Sequence, residues 1–508
     1  MSNGYAKWFA IFVLMAFMGT AFSGLATAAK TDTAYLDVKE ETGTTTDLGG
    51  GDYVFIRFNN DAAFGVIYGT PQNPNGIIIV AMHVRYLGVA DVQDVNGASM
   101  GKTVPIPVLT VFAMKLNDIF EFNDTDNDGV CDYKHWGTGL TYGQYLVHEP
   151  IYKQVSLTTA WTRSNITTNV DEANKEKDWT FSLTAKDLAY KAVGNSSSIA
   201  NDVANKKMDK AEFTFHLTTK VVHYDNITVP TYKVTVDKGQ GGSGGGGGNG
   251  NGYTVTKSER IADRTFSGDH GNYEIKFDHE LDGWDFDASN SNPHLLLEWH
   301  AIIGNLVPGK VAKWISAQFE GQVDQGSKAV YDTDSGQSNI SEQTSNDASK
   351  PFLESPKKVK TPHIKLGADW TKVGMLTWTS DVTVDGKDEQ MYAQVQGGMK
   401  IDAPTGKGKY HGFMILAGFS YPGGQKIFHD PGIGGSMPIN IEFGNTSGAL
   451  RGIVLILGLG VCVGLVAAVG VAISVRKGKT DKNYYNGAYD VTEREEQGGA
   501  GWGKYYKK

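Results

Sequence analysis

The chain reads as an all-β protein carrying one membrane-spanning helix near its carboxyl end. Three observations predict this. Short runs rich in β-branched and aromatic residues recur between clusters of Gly, Asn, Asp and Pro. Outside the two apolar stretches near the ends, no long segment keeps a period of 3.6, apart from a brief piece near Ile199 to Lys210. Several runs alternate, as in Phe213-Thr-Phe-His-Leu-Thr-Thr219, the mark of antiparallel sheets with one face on a core. With 508 residues, 40% apolar and 20% charged, the chain is long enough for two domains or one large one.

The first 29 residues combine Lys7, an apolar run from Trp8 to about Leu25 and the small residues Ala26-Thr27-Ala28, the pattern of a secretory signal peptide cleaved after Ala28 or Ala29. Strand-like runs then follow at Tyr53 to Phe58, Gly76 to Leu87, Val108 to Leu116, Gln154 to Trp161, Trp179 to Leu183 and Glu212 to His223. Gly239 to Gly252 is ten glycines in fourteen residues, and glycine has no side chain to bury and loses much backbone entropy on ordering. Read as a linker, it divides the outer part into two antiparallel β-sandwich-like halves, Lys30 to Lys238 and Tyr253 to Ser447. Read as a loop, it belongs to one large double-sheet sandwich.

The second half continues with runs at Tyr273 to Phe277, Leu295 to Ile303, Val373 to Val384, Met391 to Ile401 and Tyr410 to Phe419, and with a polar segment, Gln322 to Ser349, expected as a long surface loop.

Gly452 to Val475 is 24 residues without a charge. At roughly 1.5 Å per residue a helix here reaches about 36 Å, enough for a hydrocarbon core of about 30 Å. Arg476, Lys477, Lys479 and Lys482 crowd its far side, so the positive-inside bias places the tail, residues 476–508, in the cytoplasm and the body outside. Gly460, Gly464 and Ala468 form a smooth stripe on which a second copy could pack. The tail has almost no aliphatic residues and cannot bury a core of its own.

The formal net charge is −9, and because the tail is basic the outer body is more negative still. That argues against nucleic acid or an anionic lipid surface as its partner. Of the two cysteines, Cys462 lies in the apolar segment, leaving Cys131 without a partner and excluding a disulfide framework. An outward body without bridges points to an archaeal or bacterial envelope. Sequons at Asn165, Asn195, Asn226, Asn339 and Asn445 are glycosylation candidates in an exported chain. Asn123 is a weaker one because it borders the loop described next.

The most specific local signal is Asp124-Thr-Asp126-Asn-Asp128-Gly129-Val130-Cys-Asp132. It resembles the acidic half of the calcium loops of EF-hands, dockerins and thrombospondin type 3 repeats. The resemblance covers about nine residues and implies a calcium site in which Asp124, Asp126 and Asp128 converge, Gly129 permits the turn, Val130 offers its carbonyl and Asp132 acts through water. His135 stands where such loops carry a bidentate acid, so Glu121 or Glu149 is expected to complete the shell.

A second acidic patch, Asp278, Asp282, Asp285 and Asp287, surrounds Trp284 and Phe286. Either the aromatics anchor a core while the acids face water, or Asp282, Asp285 and Asp287 serve a glycan-cleaving cleft. Trp299, Trp314, Trp370 and Trp378 are likewise expected in a core. His294, His300, His363, His411 and His429 match no metal spacing, and there is no G-x-S-x-G, H-E-x-x-H or P-loop. The expected function is therefore a membrane-anchored surface module for binding, adhesion or envelope structure. The alternatives are an anchored glycan hydrolase and a solute-binding receptor for a transporter.

Overall fold

A computed structural model describes residues 38–45, 51–58, 62–132, 149–193, 203, 205–238, 253–308, 329–340, 352–367, 374–405, 408–439 and 441. Among these residues 23 strands run in chain order. The first half holds β1 (Lys39–Thr45), β2 (Gly51–Phe58), β3 (Ala62–Tyr68), β4 (Ile78–Asp94), β5 (Ser99–Asn123), β6 (Ile151–Ser156), β7 (Thr162–Arg163), β8 (Thr167–Asp171), β9 (Glu176–Ala192) and β10 (Lys207–Lys238). Next come β11 (Tyr253–Asp282), β12 (Pro293–Pro308), β13 (Ala329–Thr333), β14 (Gly336–Asn339), β15 (Phe352–Val359), β16 (His363–Leu366) and β17 (Gly374–Thr377). The last are β18 (Asp381–Val384), β19 (Lys387–Gln390), β20 (Tyr392–Thr405), β21 (Gly408–Pro422), β22 (Lys426–His429) and β23 (Gly432–Ile439).

One layer follows the order β1-β2-β3-β4-β5-β12-β21-β20-β15. The other is built around β9-β10-β11 and continues through β22 to β18 and β19, and through β23 to β17, β16, β13 and β14. Strand β6 bridges the layers by pairing with both β5 and β9. Among the described strands every pairing is antiparallel except one, in which Thr231 to Val236 of β10 run alongside Val89 to Asp94 of β4.

Side-chain alternation explains the second layer. Trp179, Phe181 and Leu183 of β9 and Phe213, Phe215 and Leu217 of β10 point into the core, while the Thr and Ser residues between them face the other way. In β3 and the first half of β4, consecutive residues are buried on both faces, which is why their sequences are unbroken apolar runs. Aromatic contacts close the two layers on each other: Phe64 lies 5.1 Å from Tyr273, and Phe419 5.4 Å from His429.

The strand pairing does not follow the expected division into two halves. β5 pairs with β12 from Asn123↔Pro293 to Leu109↔Leu306, and one core cluster takes residues from both sides of the Gly-rich stretch. The strands flanking that stretch are themselves partners, ending at Lys238↔Tyr253. Glycine content alone does not distinguish a spacer from a connection between paired strands. A protease cut within 239–252 is accordingly expected to leave fragments that co-elute in native size-exclusion chromatography, and their separation would count against this pairing.

Two local expectations also change. The polar segment Gln322 to Ser349 contains the hairpin β13–β14, anchored by buried Ala329, Tyr331 and Ile340. The piece near Ile199 to Lys210 enters β10 at Lys207. Among the described residues no helix is long and apolar enough to cross a membrane. The expected signal peptide, the apolar stretch Gly452 to Val475 with Gly460, Gly464 and Ala468, the residues after it, Cys462, and the sequons at Asn195 and Asn445 lie outside the described residues.

Three buried polar rings form a chain inside the core. His279 Nε2 is 2.8 Å from the Tyr421 hydroxyl, which is 3.0 Å from His429 Nδ1, and His429 Nε2 is 3.0 Å from the Thr379 carbonyl. One arrangement satisfies these three contacts as neutral groups, leaving His279 Nδ1 unprotonated beside the Phe277 carbonyl. His429 donates to Thr379, Tyr421 donates to His429, and His279 donates to Tyr421.

Burial holds His279 well below the ordinary histidine range, with His429 adding to the effect, and burial brings His429 down to about 4. A histidine lowered by folding contributes stability above its unfolded value, about 6.5, that is lost as the pH falls through the folded value. The stability contributed by the ring chain should therefore drop between about pH 6.5 and 4, by roughly 3 kcal/mol from His429 alone, against the opposite trend from Glu149 and Asp132, whose carboxyls folding raises. His429→Gln should remove its share of that loss, so over this window the variant's denaturant midpoint should fall less, or rise more, than the parent's.

Candidate metal centre

The acidic loop begins where β5 ends. Asn292 grips its first residue on both sides: Asp124 N–H donates to the Asn292 carbonyl at 3.1 Å, and Asn292 Nδ2 donates to the Asp124 carbonyl at 2.7 Å. The chain then folds around its own carboxylates. Asp124 Oδ1 accepts from Asp128 N–H and Oδ2 from Gly129 N–H, Asp126 Oδ1 accepts from Asp128 N–H, and Asp128 Oδ1 accepts from Val130 N–H.

Two residues take positive φ to allow this, Asn127 at 62° and Gly129 at 76°. At Gly129 a Cβ would also sit 2.1 Å from the Tyr392 ring, so that position is closed to side chains on both counts.

The turn brings one carboxylate oxygen each from Asp124, Asp126 and Asp128 within 4.8 Å of one another. At an effective dielectric of about 20, each ionised pair at that spacing costs roughly 3 to 4 kcal/mol. Asp124 is buried and the other two are exposed.

Glu149 completes the acidic surroundings. It is fully buried and accepts from Thr125 N–H at 2.7 Å and Asp132 N–H at 2.9 Å. Burial pushes its carboxyl up to about 8 against the pull of those two donors, with Asp124 and Asp132 adding to the rise. Burial, aided by Asp128, Asp126 and Asp124, pushes Asp132 up to about 6, and partial shielding of its carboxylate by the loop raises Asp128 as well, although the residue as a whole is exposed. Protons or a bound cation would relieve the crowding of such a group. Its donors are carboxylate and carbonyl oxygens, which suit a hard ion such as calcium or magnesium better than zinc.

Distant segments brace the loop. Gln394 on β20 takes up the backbone of Cys131 on both sides, at 2.7 and 3.0 Å. Lys358 on β15 donates to the Asp128 carbonyl and lies over the Tyr392 ring. His294 Nε2 is 3.8 Å from Asp124 Oδ2. None of these partners carried a local signal, because each arrives from more than 150 residues away.

The structure thus brings Asp124, Asp126 and Asp128 together. Val130 and Asp132 share the loop without joining the converging set, and His135 lies outside the described residues. Of the two acids expected to complete the shell, Glu149 accepts from two N–H groups of the loop without joining the converging set, and Glu121 faces a different cluster. The Asn123 carboxamide oxygen accepts from Asn292 N–H and Ser291 Oγ. Asn165 and Asn226 are exposed, and Asn339 is partly buried.

The second acidic patch is engaged otherwise. Trp284 is buried and its indole N–H donates to Glu121 at 3.0 Å. Asp285 pairs with Lys206 at 2.8 Å, and Asp287 caps a turn by accepting from Ser289. An open cleft of about 540 Å³ beside Tyr68, Trp161 and Arg163 is lined by one carboxylate, Asp52, so it lacks the pair that glycoside cleavage uses. Trp299 and Trp378 are buried in the core as expected, whereas Trp314 and Trp370 lie outside the described residues.

No protein-family model matches this chain, and no curated protein or solved structure matches it either.

Proposed function

We propose that the chain is a single-pass surface protein whose calcium-stabilised all-β body serves as a binding, adhesion or envelope-structural module. The observation that carries this reading is the convergence of Asp124, Asp126 and Asp128 at a point braced by Asn292, Lys358 and Gln394. A divalent cation there would stiffen a loop on which Asn292, Lys358 and Gln394 converge from later in the chain. That is the role expected of an ion that holds a fold rather than drives a reaction.

Support for the membrane topology comes from the uncharged stretch Gly452 to Val475 and the basic residues that follow it. Gly460, Gly464 and Ala468 would offer a contact to a second copy, and exposed Asn165 and Asn226 are the first sequons to test for glycans. The glycan-hydrolase alternative loses support because Asp285 and Asp287 are already committed to Lys206 and to a turn.

Protease treatment of intact cells tests the reading. The body should be digested while an epitope placed after Arg476 is protected. A spared body, or a full-length chain that dissolves without detergent, would overturn it.

A further inference from the structure

A second polar cluster lies deep beside the metal loop. Glu121 on β5 and Lys153 on β6 are direct cross-strand partners, 0% and 1% exposed. Lys153 Nζ lies 3.5 Å from Glu121 Oε2, sits 4.7 Å above the Tyr190 ring and donates to the Asp285 carbonyl.

Asn290, 9% exposed, sits in the turn between β11 and β12. Its Nδ2 donates to Glu121 Oε1 at 3.1 Å and to the Phe122 carbonyl at 3.1 Å, while its buried Oδ1 finds no donor among the described residues. Trp284 Nε1 and Asp287 N–H hold the carboxylate in place from the remaining directions. An amine nucleophile and a carboxamide thus flank the two oxygens of one buried carboxylate, away from competing water.

We propose that Lys153 and Asn290 become joined by an isopeptide bond that forms within the fold, with Glu121 as the proton carrier. The Lys153 ammonium gives one proton to Glu121, and the freed lone pair on Nζ attacks Cγ of Asn290. The Cγ–Nδ2 bond then breaks, its electron pair leaving with nitrogen. Glu121 Oε2 takes the second proton that Nζ loses, and Oε1 returns one to Nδ2, which departs as ammonia.

Three charged or neutral groups, ammonium, carboxylate and carboxamide, become a secondary amide, a carboxylic acid and ammonia. Atoms and charge balance, and no oxidant or cofactor takes part. Apolar, water-poor surroundings favour this route because they favour the neutral amine and acid over the ion pair. The bond would cross-link strands on either side of the Gly-rich stretch in a body with no disulfide among its described residues. It does not depend on the surface reading above.

Peptide mapping of the folded full-length chain decides the matter. Trypsin should yield the stretch 135–163, uncleaved after Lys153, joined to 277–310, with a combined mass lower by about 17 Da, the mass of ammonia. After a cut within 239–252, a denaturing gel should still show one linked species. E121Q should give two linear peptides and, after the cut, two separate fragments, with circular dichroism confirming that the variant is folded.

Separate linear peptides with intact Lys153 and Asn290 from the unsubstituted protein would overturn the proposal whatever the variants do. A link between Lys153 and Glu121 with loss of water would overturn the role of Asn290. A bond that persists in E121Q would overturn the role of Glu121.

Discussion

Trp299→Ala should lower the unfolding free energy by about 3–5 kcal/mol, the usual cost of emptying a large buried aromatic site. Trp299 is 1% exposed on β12, the strand through which the first and second halves share a layer, and its ring lies 5.8 Å from Phe419. The cost of a smaller change separates packing from hydrogen bonding. The Trp299 indole N–H has no acceptor among the described residues, so Trp299→Phe loses volume alone and should cost less than the alanine variant by at least half. Trp284→Phe, by contrast, removes a donor from buried Glu121 and adds roughly 1–3 kcal/mol for the acceptor left short. Urea denaturation of the three variants checks the ranking, and equal losses for the two Trp→Phe changes would contradict it.

Calcium should stabilise the protein, and chelator should reverse the effect. An ion that binds only the folded chain adds about 2.7 kcal/mol when present at a hundredfold excess over its Kd. Asp126→Asn is the informative variant. Asp126 is exposed and accepts one backbone hydrogen bond, from Asp128, which an asparagine oxygen can also accept. The variant should therefore match the unsubstituted chain in chelator while losing most of the response to calcium. Asp124→Ala should do more, because buried Asp124 holds the loop's own N–H groups, and its loss should lower the melting temperature even in chelator. Melting curves that ignore both calcium and chelator would remove the ion from the account.

Much of the fold was legible because core-facing strand segments obey a period of two or run apolar on both faces. Gly76 to Leu87, Leu295 to Ile303 and Phe213 to Thr219 are recognisable for that reason. What escaped notice was length and partnership. β10 and β11 extend to 32 and 30 residues, yet much of each beyond the core is polar, as at Ser258, Glu259 and Arg260 of β11, and pairs through backbone groups that leave no pattern in the side chains. Short strands such as β16 and β22 have too few residues to show periodicity at all.

The acidic loop was legible for a similar reason. Its acids lie within nine residues and act through a local turn. Asn292, Lys358, Gln394 and Tyr392, which brace it, meet the loop only after the whole chain has folded. The Glu121, Lys153 and Asn290 cluster left no trace, since a cross-strand pair and a turn more than 130 residues away share no spacing rule.

The order of the strands also sets a timetable. β11 is paired along Asp269 to Lys276 by β23, the last strand described, and β5 waits for β12, about 170 residues further on. Contacts of such long reach must close costly loops before they are rewarded, which places folding in the slow, millisecond-to-second regime typical of β proteins. A nascent chain cannot finish its body until residues past Ile439 have emerged. A chain cut short before Gly432 would display a bare edge at β11, open to pairing with any extended neighbour.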